Sequence, residues 1–343
     1  MRSAIVVDPA FDGYWPFAAD ALEDRWSAEG PVTFVRLETP WTEAGIANRL
    51  DEPASVDRLV SFGVPVTESD LRVLSSLAEA TVTDTNGFPE QDSVERLREA
   101  GVDIRNPRET EGYWSESVTE FGLGLTISAL RRIPQLHQRM AEDRSVWDYT
   151  PPSDPPRPGE RGGQFGDTTA FTSGPIAGKR VRIVGVGNIG SRYASACDAL
   201  GADVAAHDPF ADEPCFHRSG AARERFFDEL VGDAEIFAPL VPLTDGTRGL
   251  VDRNRVEMLP EGCLVVLVTR ARVVDTDALR ERVLADELAL AADVWDDNPG
   301  EPVPLDDPLL DRPNVVHTPH VAGRTRHANE RFAEMLAEQF RPR

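Results

Sequence analysis

The sequence predicts an α/β protein of two domains, each built on a parallel sheet layered with helices. Two series of short apolar strands alternate with amphipathic stretches, one before residue 110 and one after residue 180. A glycine-rich turn, Gly185-x-Gly187-x-x-Gly190, opens the second series between a strand and a helix. At 343 residues the chain has room for two domains of ordinary size, and its 41% hydrophobic content can fill both cores.

In the first series "SAIVVD", "VTFVRL", "RLVSFG", "ATVTD" and "VDIRN" read as strands, with helical spacing in "SDLRVLSSLAEA" and "DSVERLREAG" between them. From Ser115, "SESVTEFGLGLTISALRRIPQLHQRM" reads as one long helix capped by Ser115 or Ser117, with a kink expected at Pro134. The stretch "TPPSDPPRPGERGGQFG", 150 to 166, is rich in Pro and Gly and reads as a loop or a crossover between domains. The second series contains "RVRIVGVG", "DVAAHD", "EIFAPLVPL", "CLVVLVT", "LALAADVW" and "NVVHTPH". Their near-continuous apolar character fits strands covered on both faces, as in a doubly wound sheet. "HANERFAEMLAEQF" follows as an amphipathic helix.

Bulk properties narrow the function. A net charge of −23 argues against nucleic acid and against an anionic membrane as partners. No apolar run reaches the ~18 to 20 residues of a membrane span. "MRSAIVVDPAF" is interrupted by Asp8 and reads as a first strand rather than a leader, so a cytoplasmic protein is expected. Cys197, Cys215 and Cys263 show no CxxC spacing and read as structural thiols, with no metal site.

The glycine turn has the context of a dinucleotide site. Gly185 permits the tight turn, Gly187 lets a pyrophosphate approach the backbone, and Gly190 allows close helix–strand packing. Backbone N–H groups around Asn188 and Ile189 would meet phosphate at the positive end of the helix. Asp208, at the end of the next strand, would accept hydrogen bonds from ribose hydroxyls and repel a 2′-phosphate, which favours NAD over NADP.

Arg270 follows the strand "CLVVLVT" and His320 ends "NVVHTPH", at strand ends where ligands bind in such sheets. A guanidinium can clamp a carboxylate with two parallel hydrogen bonds, and an imidazole can exchange a proton near neutral pH. Beside a nicotinamide this equipment suits reduction of a 2-oxo acid.

The ordered set "SVTEFGLGLTISALRRIP", "GKRVRIVGVGNIGSRYA", "VPLTDGTRGLVD", "TRARVVDTDAL", "ALAADVW" and "EPVPLDDPLLDRPNVVHTPHVAG" resembles the D-isomer-specific 2-hydroxyacid dehydrogenase family, which includes 3-phosphoglycerate, glycerate and D-lactate dehydrogenases. The resemblance covers residues 100 to 325 well and the first 100 only in general pattern. It implies a doubly wound Rossmann NAD-binding domain over 115–321 and a flavodoxin-like substrate domain over 1–114 and 322–343. An Arg–Glu–His catalytic set is implied, with Arg270 on the substrate carboxylate and carbonyl and His320 as the acid/base. Cofactor contacts are implied at Pro242, Thr247, Thr269 and Asp293, the last on the nicotinamide carboxamide. A homodimer joined through the nucleotide-binding domains is also implied.

The glutamate's position has two candidates. Counting forward from the "DV" pair reaches Asn298, and counting backward from His320 reaches Glu301, followed by Pro302 as the family pattern requires. Because "EPVPLDDPLLDRPNVVHTPH" runs without a gap, an insertion of "NPG" is the simpler account, and Glu301 is preferred. A carboxylate there would favour the imidazolium of His320, which an asparagine would not.

Three departures stand out. Leu267 replaces a usual Asn, Ala271 replaces the Gly after the arginine, and "TDTNGFPEQD" lacks the family's Gly-x-Gly-x-Asp substrate loop. The function expected is therefore NAD-dependent hydride transfer between a small 2-oxo acid and a D-2-hydroxy acid. The alternative is a corepressor-like NAD-binding regulator of the same fold without turnover.

Overall fold

The computed structural model describes residues 1–42, 45–106, 112–162, 166–168, 170–295 and 303–340. The chain forms two compact units, Met1–Trp114 with Arg324–Arg343, and Ser115–Gly323.

Unit 1 contains β1 (Ser3–Val7), α1 (Pro9–Tyr14), α2 (Ala18–Ser27), β2 (Val32–Arg36), β3 (Arg58–Phe62), α3 (Glu68–Val73), β4 (Glu79–Thr83), α4 (Gln91–Glu99) and β5 (Asp103–Ile104). The sheet is parallel throughout, in the order β2-β1-β3-β4-β5 of flavodoxin-like folds. Strand periodicity divides its two cores. Ile5 and Val7 of β1 join Val60 and Phe62 of β3 on one face, while Ala4, Val6 and Leu59 join Val82 and Leu97 on the other. The region predicted as the helix "SDLRVLSSLAEA" is helical only over α3, which starts at a Thr67–Asp70 capping box. Its tail enters β4 instead, because Ala80 and Val82 alternate into the core.

Unit 2 contains α5 (Ser115–Arg131), α6 (Ile133–Glu142), β6 (Arg180–Val184), α7 (Asn188–Ala199), β7 (Asp203–His207), α8 (Glu213–Ser219), β8 (Ala222–Arg223), α9 (Phe227–Gly232), β9 (Ile236–Pro239), α10 (Arg253–Met258), β10 (Leu264–Leu267), α11 (Thr276–Leu284), β11 (Ala289–Ala292) and β12 (Val315–His317). Its parallel sheet runs β12-β11-β10-β9-β6-β7-β8. The chain winds outward from β6 through β7 and β8, then restarts on the other side of β6 at β9. That reversal creates a switch point at the carboxyl ends of β6 and β9, where ligands bind in open α/β sheets.

The long helix expected from Ser115 is two helices. Arg132 adopts the left-handed conformation (φ 53°, ψ 38°) and breaks the run. Pro134 falls in the first turn of α6, where its missing N–H costs no helical bond, so it helps start a helix rather than kink one. The Pro- and Gly-rich stretch lies inside unit 2, between α6 and β6, and not between the units; its described residues form neither helix nor strand. Cys197 and Cys263 are buried, and burial pushes the Cys197 thiol up to about 12 and the Cys263 thiol higher still.

The chain returns to unit 1 through α12 (Arg326–Gln339), whose N-cap Thr325 hydroxyl accepts from the Ala328 N–H at 3.1 Å. Phe332 stacks on Tyr113 at 4.5 Å between ring centres, and Trp26 meets Phe340 edge-on at 5.0 Å, which fixes α12 against α2. No helix among the described residues is long and apolar enough to cross a membrane.

Candidate active site

The three glycines of the β6–α7 turn differ in what requires them. Gly185 has φ +91°, and a Cβ there would come within 2.7 Å of Val241 Cγ1 and 3.0 Å of the Leu240 oxygen. A Cβ on Gly190 would fall on the carbonyl oxygen of Gly185, so α7 meets the turn backbone to backbone only without one. Both glycines are demanded by the fold. Gly187 is not: its φ of −70° suits any residue, and a Cβ would meet nothing within 4 Å. What Gly187 keeps clear is the approach to the start of α7, which has no side-chain cap bond and no acidic residue in its first turn. The start of α7 is thus left without a side-chain cap of its own, and the open face suits a phosphate group. The turn therefore fits the pyrophosphate of a dinucleotide.

Asp208, just beyond β7, is bound to the same turn. Its Oδ2 accepts from the Val186 N–H at 3.0 Å, and its Oδ1 accepts from Phe210 and Ala211 at 2.9 and 3.2 Å. The carboxylate is thus fixed beside the glycine turn. Beyond β9, the Thr247 hydroxyl donates to the Pro242 oxygen at 2.5 Å and accepts from the Thr244 N–H at 2.8 Å, closing a compact turn. The Thr269 hydroxyl donates to the Pro239 oxygen at 3.1 Å and ties the ends of β9 and β10 together.

Arg270 follows directly, half-buried, with Nη1 donating to the Thr269 oxygen at 2.7 Å. His320 lies three residues beyond the end of β12, also half-buried. Because β10 and β12 flank β11, two strand spacings, roughly 10 Å, separate the chain segments that present them. The described candidates of unit 2 all lie at or beyond the carboxyl ends of its strands, from β7 to β12. Glu301 and Asn298 lie outside the described residues.

Sequence reasoning missed the central bond network of this edge. Asp293 is fully buried at the end of β11. Its Oδ1 accepts from the Thr318 hydroxyl at 2.5 Å and the Val321 N–H at 3.1 Å, and its Oδ2 from the Ala322 N–H at 2.8 Å. These donors bracket His320, whose backbone is held at φ 55°, a region that a side-chain-bearing residue enters at a cost. Asp293 thus sets where the imidazole is carried. The signal in the sequence was an acid ending an apolar strand, which does not say whom it binds.

Nearby, His317 packs edge-on against Trp295 at 5.8 Å. Burial lowers its pKa, Asp307 opposing, and it is a packing residue. Leu267, at the position noted for its missing Asn, is buried in the core of unit 2, and so is Ala271. In unit 1 the loop after β4 spends its amides on itself. Asp84 Oδ1 accepts from Asn86 and Phe88 at 2.8 and 2.9 Å, and the Asp84 carbonyl from Gly87 at 3.2 Å. Those amides are committed to the turn rather than to a bound carboxylate.

An exposed helix start at the switch point of a parallel sheet marks the class of dinucleotide-binding proteins. Comparison with known proteins narrows it. Residues 123–322 match a family model described as D-isomer specific 2-hydroxyacid dehydrogenase, NAD binding domain. The chain belongs to the D-isomer specific 2-hydroxyacid dehydrogenase family and carries its NAD-binding domain. It is 31% identical over 225 residues to a D-3-phosphoglycerate dehydrogenase of Archaeoglobus fulgidus, a match covering 65% of this chain and 38% of that one. It thus spans well under half the length of that relative. A hydroxypyruvate reductase of Thermotoga maritima is 26% identical over 251 residues, 72% of each protein. In fold it resembles the NAD-complexed D-isomer specific 2-hydroxyacid dehydrogenase of Lactobacillus delbrueckii ssp. bulgaricus, with TM-score 0.72, 20% identity, and coverage of 100% of this chain and 99% of that one.

Two outcomes follow from this geometry. Gly187→Ala should leave the melting temperature nearly unchanged yet weaken NADH binding in a fluorescence titration, whereas Gly190→Ala should lower the melting temperature by several degrees. Equal effects on stability would remove the distinction between them. Asp293→Asn places an amide N–H against one of three donors. It should cost about 1–3 kcal/mol in urea denaturation and lower kcat ~10-fold or more, with little change in NADH affinity. A parallel loss of NADH affinity would assign Asp293 to the nicotinamide instead.

Proposed function

We propose that the protein is an NAD-dependent oxidoreductase that interconverts a small 2-oxo acid and the corresponding D-2-hydroxy acid. What supports this reading is strand-end placement: the glycine turn follows β6, Arg270 follows β10 and His320 lies three residues beyond β12, all at carboxyl ends of one parallel sheet. The family membership supports it.

Gly185, Gly187 and Gly190, with the N–H groups at Asn188 and Ile189, would hold the pyrophosphate; Asp208 would take the adenosine ribose; and Pro242, Thr247, Thr269 and Asp293 would border the nicotinamide side. The cofactor, when bound, would supply the hydride as NADH in reduction and accept it as NAD⁺ in oxidation. Arg270 pairs with the substrate carboxylate through parallel N–H bonds and polarises the adjacent carbonyl. His320 gives a proton to that carbonyl oxygen during reduction, or takes it from the hydroxyl during oxidation. Glu301 keeps the imidazole charged for the first of these tasks. Metal has no part in this proposal.

The protein is proposed to act in the cytoplasm, on free small acids, as a homodimer joined through unit 2. Support for the dimer comes from Ile133 and Met140 of α6 and from Trp147 and Tyr149 just after it. These four large apolar side chains are 41% to 81% exposed on one continuous stretch. Trp147→Glu should shift the protein toward the monomer in light scattering; an unchanged mass would move the interface elsewhere.

The decisive assay is NADH oxidation against glyoxylate, pyruvate, hydroxypyruvate, branched and aromatic 2-oxo acids and phosphorylated analogues. At least one should turn over, and His320→Asn should reduce kcat by ~100-fold or more. Glu301→Gln should depress turnover and displace the pH profile more than Asn298→Ala; the reverse ranking transfers the role to Asn298. Tight NADH binding with no turnover across the panel would favour the regulatory alternative.

A further inference from the structure

We infer that Arg192 is the side-chain ligand of the cofactor's pyrophosphate, held in readiness beside the start of α7 by Glu116. The inference rests on the dinucleotide reading of the glycine turn and adds to it a full positive charge that the turn itself lacks.

The turn offers phosphate only backbone dipoles. The start of α7 has no side-chain cap bond, and a Cβ on Gly187 would meet nothing within 4 Å. Helix-start N–H groups together present about half an elementary charge, whereas a pyrophosphate diester is ionised at both phosphorus centres. A chain of net charge −23 adds a long-range field that opposes any anion. A cation close to the turn is what such a site requires.

Arg192 is the one basic residue in α7, whose sequence is NIGSRYASACDA. Side chains on a helix lean toward its amino end, and this one reaches back a full turn, Nη1 donating to the Asn188 oxygen at 3.0 Å. Asn188 is the first residue of the helix and the neighbour of Gly187, so the guanidinium stands at the rim of the cradle. Ser191, by contrast, spends its hydroxyl proton on the Gly187 oxygen at 2.7 Å. Arg192 is 44% exposed and keeps further N–H groups that make no hydrogen bond among the described residues. A guanidinium presents its donors in a planar fork that matches phosphate oxygens in pairs.

The first turn of α5 explains where this group rests. The Thr119 hydroxyl donates to the Ile189 oxygen at 3.4 Å, which sets α5 beside the start of α7. One turn earlier on α5, Glu116 Oε1 comes within 3.9 Å of Arg192 Nη2. Both side chains reach solvent, and an ion pair that long and that exposed is weak. A phosphate can therefore take the arginine from the glutamate through side-chain rotation alone. Glu116 competes with the ligand for the same cation.

The test is calorimetric titration of the full chain with ADP-ribose, which carries the pyrophosphate without nicotinamide, and fluorescence titration with NADH. Arg192→Gln should weaken both about 10-fold, while the melting temperature of the ligand-free protein stays nearly unchanged. Glu116→Gln should tighten both by about 2- to 5-fold, and should do nothing on the Arg192→Gln background, because the glutamate acts through the arginine. Arg180→Gln removes the same charge at the amino end of β6, roughly 16 Å along the strand from Gly185, and should change neither affinity. Wild-type affinity in Arg192→Gln overturns the proposal and leaves the dinucleotide site standing. An equal loss in Arg180→Gln also overturns it, since net charge alone would then account for the effect. Equal tightening by Glu116→Gln with and without Arg192 overturns the holding role of the glutamate. Failure of the unmodified chain to bind ADP-ribose removes the cofactor site itself, and Arg192 with it.

Discussion

The buried carboxylate of Asp293 is the constraint on which the carboxyl-end edge of the unit 2 sheet depends. Removing a carboxylate from water is expensive unless its lone pairs are met, and here Thr318, Val321 and Ala322 meet them from a single loop. The exchange works in both directions. The loop satisfies the charge, and the charge holds the loop in a turn that requires His320 to sit at positive φ. Since β11 lies between β10 and β12, this anchor stands between the segments carrying Arg270 and His320. Thr269, pinned to Pro239, gives the arginine side the same kind of restraint. The segments carrying Arg270 and His320 are thus placed largely by bonds to main-chain atoms, which keep their positions far better than long side chains do.

The nucleotide cradle divides its labour in a similar way. Two glycines let α7 lie against the turn, and a third clears space for something not made of protein. Asp208 fastens the turn to β7 through Val186, so the residue expected to read the ribose also shapes the phosphate end. The glycine turn and the Asp208 carboxylate then share one rigid corner of the sheet.

Much of this was readable in the residues. Period-two alternation in "SAIVVD" announces which side chains enter which core, and the continuous apolar runs of unit 2 announce strands covered on both faces. Gly185-x-Gly187-x-x-Gly190 marks the cradle because glycine spacing is itself a backbone requirement. Other features depend on partners remote in sequence. The break at Arg132 is a left-handed residue with no glycine to advertise it. The extent of α3 was misjudged because the alanines after it follow the demands of a strand. Nothing in "AADVW" names the three donors that reach Asp293 from some 25 to 29 residues later. The choice between Asn298 and Glu301 rests on sequence spacing alone.

Unit 1 is assembled from two stretches of chain, with all of unit 2 made between them. Its larger core includes Phe332, Leu336 and Phe340 of α12, so β1 to β5 emerge from the ribosome without the helix that seals their apolar face. Unit 2, by contrast, is complete once Gly323 has emerged. The nucleotide-binding half can therefore consolidate during synthesis while the first-made half waits, its aromatic surface in need of shelter until α12 has been made.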